Sequence, residues 1–92
     1  MTNKAVKIIN TAGMHARPAA DFARCAKGFG CTVKVQRENE PGSAVNGKSV
    51  VMLLSQGFAC GERIEIITEG ENEAECAEAL GTLVEKGFDE VR

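Results

Sequence analysis

The sequence lacks the features that mark nucleic-acid-binding, membrane and secreted proteins. It has no Trp or Tyr and only four Phe, so aromatic surfaces that stack single-stranded nucleic acid are not expected. Eleven Lys and Arg against thirteen Asp and Glu give a net charge of −2, without the basic field that binding to a phosphate backbone requires. No apolar run approaches the ~18 residues of a membrane span, and the first residues lack a signal-peptide core. We therefore expect no nucleic-acid partner, no membrane insertion and a cytoplasmic location.

The four cysteines lack the spacing of a metal site. No C-x-x-C pair occurs, and the only histidine lies ten residues before Cys25, so neither a metal nor a cofactor is expected. Reduced thiols on apolar faces act as small buried hydrophobic residues, which is the role predicted for Cys25, Cys31 and Cys76. Cys60 falls in a predicted turn and can be exposed. A thiol or metal protein built on the four cysteines is the alternative, which titration of free thiols in native and denatured protein tests.

The length fits one small folded domain. With 92 residues, the chain has no room for a catalytic domain beside a binding domain, so a single domain over residues 1–92 is expected. Its 43% hydrophobic and 26% charged residues are typical of a globular protein. Apolar periodicity predicts the order strand, helix, strand, strand, helix, strand, helix. Three helices with apolar faces need one sheet face to cover them, which predicts a two-layer α+β sandwich.

Four segments are predicted to be strands: residues 4–10, 31–36, 43–45 and 61–68. The second alternates cleanly, so its side chains should divide between the two sheet faces. Its inward residues are predicted to be Cys31, Val33 and Val35, and its solvent-facing residues Thr32, Lys34 and Gln36. In the last strand, Ile64 and Ile66 are predicted to face the core.

The first and last helices carry apolar stripes and end signals. The first begins at Arg17-Pro18, because proline is tolerated in the first turn, and ends near Gly28 or Gly30. Its stripe is Ala19, Phe22, Ala23 and Ala26. The last is predicted to be capped by Asn72, with Glu75 in the reciprocal capping position, and to end at Gly87. Its stripe is Cys76, Leu80, Leu83 and Val84.

Residues 48–56 have five consecutive apolar residues, 50–54, and fit either a buried strand or a short helix. A helix is favoured, because Asn46-Gly47 turns the chain, Ser49 can cap the helix and Gly57 can end it. So small a domain cannot bury every side of an apolar helix, which predicts an exposed docking patch. One-sided burial of a frayed segment is the alternative.

His15 is the only histidine of the sequence, and its neighbours suit chemistry with phosphate. It follows a turn at Gly13 and directly precedes the predicted helix. The first turn of a helix presents unpaired backbone N–H groups that attract anions, and a neutral imidazole is a competent nucleophile near neutral pH. The guanidinium of Arg17 could balance the charge of a phosphoryl group. From the residues alone, His15 is either this nucleophile or a solvated residue ahead of a helix.

Two motifs are similar to the signatures of a known family. GMHARPA at residues 13–19 resembles the active-site signature of the HPr family, the histidine-containing phosphocarriers of the bacterial phosphotransferase system. NGKSVVMLL at residues 46–54 resembles the second signature of that family, around its regulatory serine. The resemblance covers essentially the whole chain. It implies an open-faced two-layer sandwich, with the order βαββαβα and a four-stranded antiparallel sheet covered by three helices.

The resemblance also implies a function and its residues. His15 would take a phosphoryl group from phospho-enzyme I of the phosphoenolpyruvate-dependent system and pass it to an EIIA-type acceptor, while Arg17 stabilises the phosphate. The protein would thus be a carrier and not an enzyme with turnover. Ser49 matches the serine modified by an HPr kinase/phosphorylase in many bacteria. The partner-docking patch would comprise Val50, Val51 and Leu54, and a monomer is the simpler expectation.

The alternative within the family is a nitrogen-type member, NPr, that acts mainly by phosphorylation-dependent docking. Residues 62–65 and the motif Gly87-Phe88-Asp89-Glu90 resemble NPr, whereas Gly47-Lys48-Ser49 resembles serine-regulated, sugar-type HPr. The loop of residues 37–43 is a few residues longer than in common sugar-type members. Cys60 stands where many members carry a lysine. These features leave the branch open.

Overall fold

The computed structural model describes residues 1–89, and its helices and strands follow the predicted order. The strands are β1 (Thr2–Lys7), β2 (Thr32–Arg37), β3 (Val45–Asn46) and β4 (Arg63–Glu69). The helices are α1 (Ala16–Lys27), α2 (Val50–Ser55) and α3 (Glu73–Glu85), followed by a 3-10 turn over Gly87–Asp89. Glu90 of the C-terminal motif and the end of the predicted 1–92 domain lie outside the described residues.

The strands form one antiparallel sheet in the order β1-β4-β2-β3. Ile66 of β4 is central, since it pairs with Lys4 of β1 on one side and with Val35 of β2 on the other. The residues predicted to face inward from β2 and β4, including Val33 and Ile64, are buried. The predicted open-faced sandwich of a four-stranded antiparallel sheet and three helices is confirmed.

Two helices have the predicted apolar faces. All four residues of the α1 stripe are buried, and Pro18 lies in the first turn. In α3, Cys76, Leu80 and Val84 are buried, while Leu83 is half-buried against the core. The segment that fitted either a strand or a helix is the helix α2. Burial of these apolar faces stabilises the fold by about 25 cal/mol for each Å² of apolar surface removed from water.

The strand bounds differ from the predicted ones where the chain turns. β1 is Thr2–Lys7 instead of 4–10, because its partner β4 begins only at Arg63 and Ile8 bonds to the turn before it. β3 is limited to Val45–Asn46. The predicted exposure of Gln36 is wrong. Its amide donates to Glu65 (2.8 Å) and accepts the Gly42 N–H (3.2 Å), so the loop after β2 covers it.

The predicted cap of α3 is also wrong. Asn72 has a left-handed backbone (φ 58°) and its side chain does not cap the helix, because capping geometry requires an extended residue there. The carboxylate of Glu73 instead accepts the Gly70 N–H (3.1 Å), the Thr2 hydroxyl (2.8 Å) and the amino group of Met1 (2.7 Å). Hydrogen bonding, first of all by that amino group, lowers the pKa of Glu73 to about 2.

The cysteines are free thiols in distinct environments. Cys31 and Cys76 are buried as predicted, Cys25 is only half-buried, and Cys60 is exposed. Burial raises the pKa of the Cys76 thiol to about 12, with a contribution from its hydrogen bond with Cys31. Among residues 1–89, no group of three or more His, Cys, Asp or Glu side chains is arranged to hold a metal ion. No helix in this part of the chain is long and apolar enough to cross a membrane.

Candidate functional site

His15 lies at the N-terminal end of α1. It is the N-cap residue, with extended backbone (φ −84°, ψ −165°), and its carbonyl oxygen accepts the first helical hydrogen bond, from Ala19 N–H (2.9 Å). Its side chain does not cap the helix and is exposed to solvent. An imidazole here lies beside the positive end of a twelve-residue helix.

The first turn of α1 supplies the groups that an anion needs. The N–H groups of Ala16 and Arg17 have no acceptor within the helix, as in any first turn, and Pro18 has no N–H to satisfy. The side chain of Arg17 is exposed at the same end of the helix. Together these groups offer two backbone donors and one guanidinium around His15. The arrangement offers hydrogen-bond donors and positive charge to an anion at this end of the helix.

The loop before His15, residues 8–15, is called here the histidine loop. A tight turn closes it, because Gly13 N–H donates to the Asn10 carbonyl oxygen (3.0 Å) and the Asn10 side-chain amide donates to the Gly13 carbonyl oxygen (2.6 Å). Gly13 has φ +69°, and a Cβ there would lie 2.6 Å from the Phe58 carbonyl oxygen and 2.9 Å from Ala59 Cα. Only glycine satisfies both the backbone conformation and this close approach.

The histidine loop lies against residues 56–62, the support segment. The Met14 N–H donates to the Phe58 carbonyl oxygen (2.9 Å) at one end. At the other end, Ile8 N–H donates to the Glu62 carbonyl oxygen (2.9 Å), and Gly61 N–H donates to the Ile8 carbonyl oxygen (2.7 Å). Both ends of the loop are therefore bonded to the same segment. The residue directly before His15 is fixed by the backbone of a distant part of the chain.

Cys60 of the support segment is the exposed cysteine, and its Sγ lies 3.6 Å from the Ile9 carbonyl oxygen. It therefore touches the histidine loop.

Ser49 begins α2 as predicted. Its hydroxyl oxygen accepts the Met52 N–H (3.2 Å), and its carbonyl oxygen accepts the Leu53 N–H (3.1 Å). Just before it, the Lys48 ammonium group donates to the Phe29 carbonyl oxygen (2.9 Å), which ties the start of α2 to the segment after α1. Ser49 itself is half-buried. Its hydroxyl therefore caps the helix, and the residue as a whole is partly open to solvent.

Most of the exposed surface of α2 is apolar. Val51 is 74% exposed, Met52 41% and Leu54 40%, whereas Leu53 is buried. Of the three residues predicted to dock partners, Val51 and Leu54 lie on this surface, and Val50 is half-buried against the core. Met52 belongs to the same surface and was not predicted. The helix α2 leads directly into the support segment. Its apolar surface is therefore linked through the backbone to the segment that contacts the histidine loop.

Sequence reasoning missed the residues that hold the histidine loop. The buried Asn10 side chain holds the loop from within, and the carbonyl oxygen of the buried Phe58 holds it from outside, but neither contact was predicted. The turn at Gly13 was predicted from the sequence, but the hydrogen bond that the Asn10 side chain makes within it was not. Nothing local to Phe58 indicates that its carbonyl oxygen binds Met14.

Comparison with known proteins gives consistent matches over most of the chain. The family model for the PTS HPr component phosphorylation site matches residues 2–86. The chain is 40% identical over 85 residues to phosphocarrier protein HPr of Pseudomonas aeruginosa, and 38% identical over 85 residues to phosphocarrier protein NPr of Escherichia coli K12. In each case the match covers 92% of this chain and 92% of the relative. The solved structure of HPr-C-His from Thermoanaerobacter tengcongensis superposes with a TM-score of 0.90 at 35% identity, covering all of both chains.

Proposed function

The chain belongs to the HPr family of phosphocarrier proteins of the bacterial phosphotransferase system, and we propose that it carries the phosphoryl group on His15. A phosphocarrier is not a catalyst, because it is a protein substrate that needs a separate donor and a separate acceptor. The observation that supports His15 is its exposure at the N-terminus of α1, in a loop whose two ends are bonded to the support segment. Residues 1–92 are proposed to form the single carrier domain.

The transfer is a substitution at phosphorus. The lone pair on Nδ1 of neutral His15 forms the new N–P bond, while the bond between phosphorus and enzyme I breaks and its electron pair stays with enzyme I. The phosphoryl group then carries two negative charges beside the Ala16 and Arg17 N–H groups, the helix dipole and the Arg17 guanidinium. Each such contact is worth ~0.3–3 kcal/mol, depending on exposure. In the onward transfer, a nucleophile of the acceptor forms the new bond to phosphorus, and the N–P bond breaks with its electron pair returning to His15.

The proposed partners are phospho-enzyme I as donor and an EIIA-type protein as acceptor. Both must approach His15, and the apolar surface of α2 is the adjacent surface able to bury area against them. Val50, Val51 and Leu54 are its proposed docking residues. Exposed apolar side chains beside a reactive group are typical of a docking site. The protein is proposed to act as a monomer in the cytoplasm.

Ser49 is a proposed regulatory site for an HPr kinase/phosphorylase. A phosphate on its hydroxyl would add about −1.5 to −2 charge at the start of α2, directly before the apolar docking residues. A partner that presents carboxylates to this surface would then bind less well. The partial exposure of Ser49 supports this role, since a kinase needs access to the residue.

A specific observation supports the nitrogen-type alternative: the NPr relative is almost as similar to this chain as the HPr relative is. The two possibilities differ in the acceptor. Protein labelled from phosphoenolpyruvate through enzyme I, and then purified, should pass its label to a sugar-type EIIA domain if the sugar-type assignment is correct. Transfer only to a nitrogen-type EIIA domain would establish the alternative. Failure to accept label from any enzyme I would contradict the proposed function.

A further inference from the structure

We propose that Arg37 and Glu62 are positioning residues for phosphoryl transfer, because their ion pair holds the support segment on which the histidine loop is built. Neither residue lies in the two signature motifs, and the sequence did not predict contact between them. The inference rests on the proposed role of His15, since it concerns the backbone that presents this imidazole.

Arg37, at the end of β2, contacts the support segment at three places. Its Nε donates to Glu62 Oε2 (2.6 Å) and its Nη2 to Glu62 Oε1 (3.2 Å), which is a two-pronged ion pair. The same Nη2 donates to the Gln56 carbonyl oxygen at the end of α2 (2.6 Å). The guanidinium also lies 5.0 Å from the centre of the Phe58 ring. One side chain therefore spans the segment from its first residues to its last.

The ion pair of Arg37 and Glu62 is called here the brace. Glu62 itself lies within the support segment. Its Oε1 also accepts the Ala59 N–H (2.7 Å), so the carboxylate fixes the turn that contains Cys60 and Gly61. Its backbone carbonyl oxygen accepts the Ile8 N–H at the start of the histidine loop. The hydrogen bond from Arg37 lowers the pKa of Glu62, and the carboxylate therefore stays ionised at neutral pH. The pair is only partly open to water, with the Arg37 side chain 19% exposed and that of Glu62 33%.

The brace reaches His15 through backbone contacts. Arg37 contacts the ring of Phe58, and Glu62 accepts the N–H of Ala59. The carbonyl group of Phe58 lies between these two contacts, and its oxygen accepts the Met14 N–H. Gly13 packs against the same carbonyl group and against Ala59. A shift of the support segment would therefore move the residue directly before His15. Misplacing a reacting group by about 1 Å can slow a reaction by ~10²-fold.

A neighbouring ion pair provides a matched control. Arg63 Nε donates to Glu38 Oε2 (3.1 Å), joining the residues next in sequence to the brace. These side chains are more exposed, at 54% and 45%. Both pairs link the end of β2 to the start of β4, but only the brace bonds to residues 56–59. Equal losses from both pairs would indicate a general effect on stability.

The test compares Arg37→Met and Glu62→Gln with the control variants Arg63→Met and Glu38→Gln. Two quantities are measured: the hydrogen-exchange rate of the Met14 amide, and kcat and KM for phosphorylation of each variant by enzyme I. We expect the brace variants to speed Met14 exchange and lower kcat by about tenfold, with KM nearly unchanged because the docking surface is intact. The double variant should lose little more than either single variant, since both changes break one pair.

Thermal unfolding shows whether each variant is folded at the assay temperature. Arg37→Lys keeps the charge and the aliphatic stem, and replaces Arg37→Met if that variant unfolds. Met14 exchange that is unchanged, or raised equally in the controls, would overturn the brace. Faster exchange with wild-type kcat would overturn its positioning role. Failure of the wild type to accept phosphate would instead overturn the role of His15, and with it the purpose of the brace.

Discussion

The backbone N–H of Met14 donates to the carbonyl oxygen of Phe58 at 2.9 Å, and this bond joins two loops that are far apart in the sequence. Met14 directly precedes His15, and Phe58 directly follows the turn that ends α2. The proposed phosphorylation site and the proposed docking surface are therefore attached to one another by the backbone. A partner docked on α2, as proposed, would meet the imidazole at a position fixed by that attachment.

Replacement of Arg17 should slow phosphoryl transfer without abolishing it. In Arg17→Ala the Ala16 and Arg17 N–H groups and the helix dipole remain, so only the guanidinium contact is lost. We expect the transfer rate from enzyme I to fall by about tenfold, or ~1.4 kcal/mol in the barrier. Rapid-quench kinetics measures it. Arg24→Ala is the control, since Arg24 lies in the last turn of the same helix and pairs with Asp21. Equal rates for Arg17→Ala and wild type would remove Arg17 from the site.

A side chain at Gly13 should damage the site more than a side chain at Gly42. Both residues have positive φ, but a Cβ at Gly42 meets nothing within 4 Å, whereas at Gly13 it meets the Phe58 carbonyl group. Gly42→Ala should cost about 1–2 kcal/mol of stability from backbone conformation alone. Gly13→Ala should cost a further ~1–3 kcal/mol from the clash and also slow transfer. Urea unfolding of both variants provides the comparison, and equal losses would contradict the close packing.

A negative charge at Ser49 should weaken docking. Ser49→Asp places a carboxylate directly before the exposed apolar surface of α2. We expect the free energy of binding to enzyme I to become less favourable by ~1–3 kcal/mol. Titration calorimetry measures the affinity. Ser43→Asp adds the same charge to an exposed loop residue and should bind like the wild type. If the two variants bind equally well, the charge at Ser49 does not act on the docking surface.

Stability in acid should depend on Glu73. The pKa of this carboxyl is lowered in the folded state from 4.5 to about 2, so the folded state favours the ionised form. Its contribution to stability is present above about pH 4.5 and is lost as the pH falls toward 2. In Glu73→Gln the free energy of unfolding should therefore fall less over this range than in the wild type. The exposed neighbour Glu71 gives the control variant Glu71→Gln. An identical acid dependence in Glu73→Gln and wild type would contradict the assignment.

Local patterns predicted most of the fold. The apolar stripe of α1, the hydroxyl cap at Ser49 and the alternation of Val33 and Val35 each depend on residues close in sequence, and each is present in the structure. The segment around Val50–Leu54 was ambiguous by periodicity, and its flanking turn and cap residues indicated the helix correctly.

The wrong or missing predictions concern contacts between distant residues. Gln36 was predicted to face solvent from its place in an alternating strand, but its amide bonds to Glu65 of the neighbouring strand and to the loop after it. At α3, the left-handed backbone of Asn72 moves the capping role to Glu73, which also reaches Thr2 of β1. The brace of Arg37 and Glu62 is of the same kind. Such pairs leave no periodic or local signal, because they form only when the strands assemble.

The central claim is that the phosphoryl group is carried on His15, and the most direct measurement is transfer of labelled phosphate from phosphoenolpyruvate through enzyme I to wild type and His15→Ala. The wild type should be labelled, and its label should be lost in acid, as expected of a phosphohistidine. His15→Ala should remain unlabelled and yet unfold as cooperatively as the wild type, since His15 is exposed. Labelling of folded His15→Ala, or an acid-stable label on the wild type, would contradict the account.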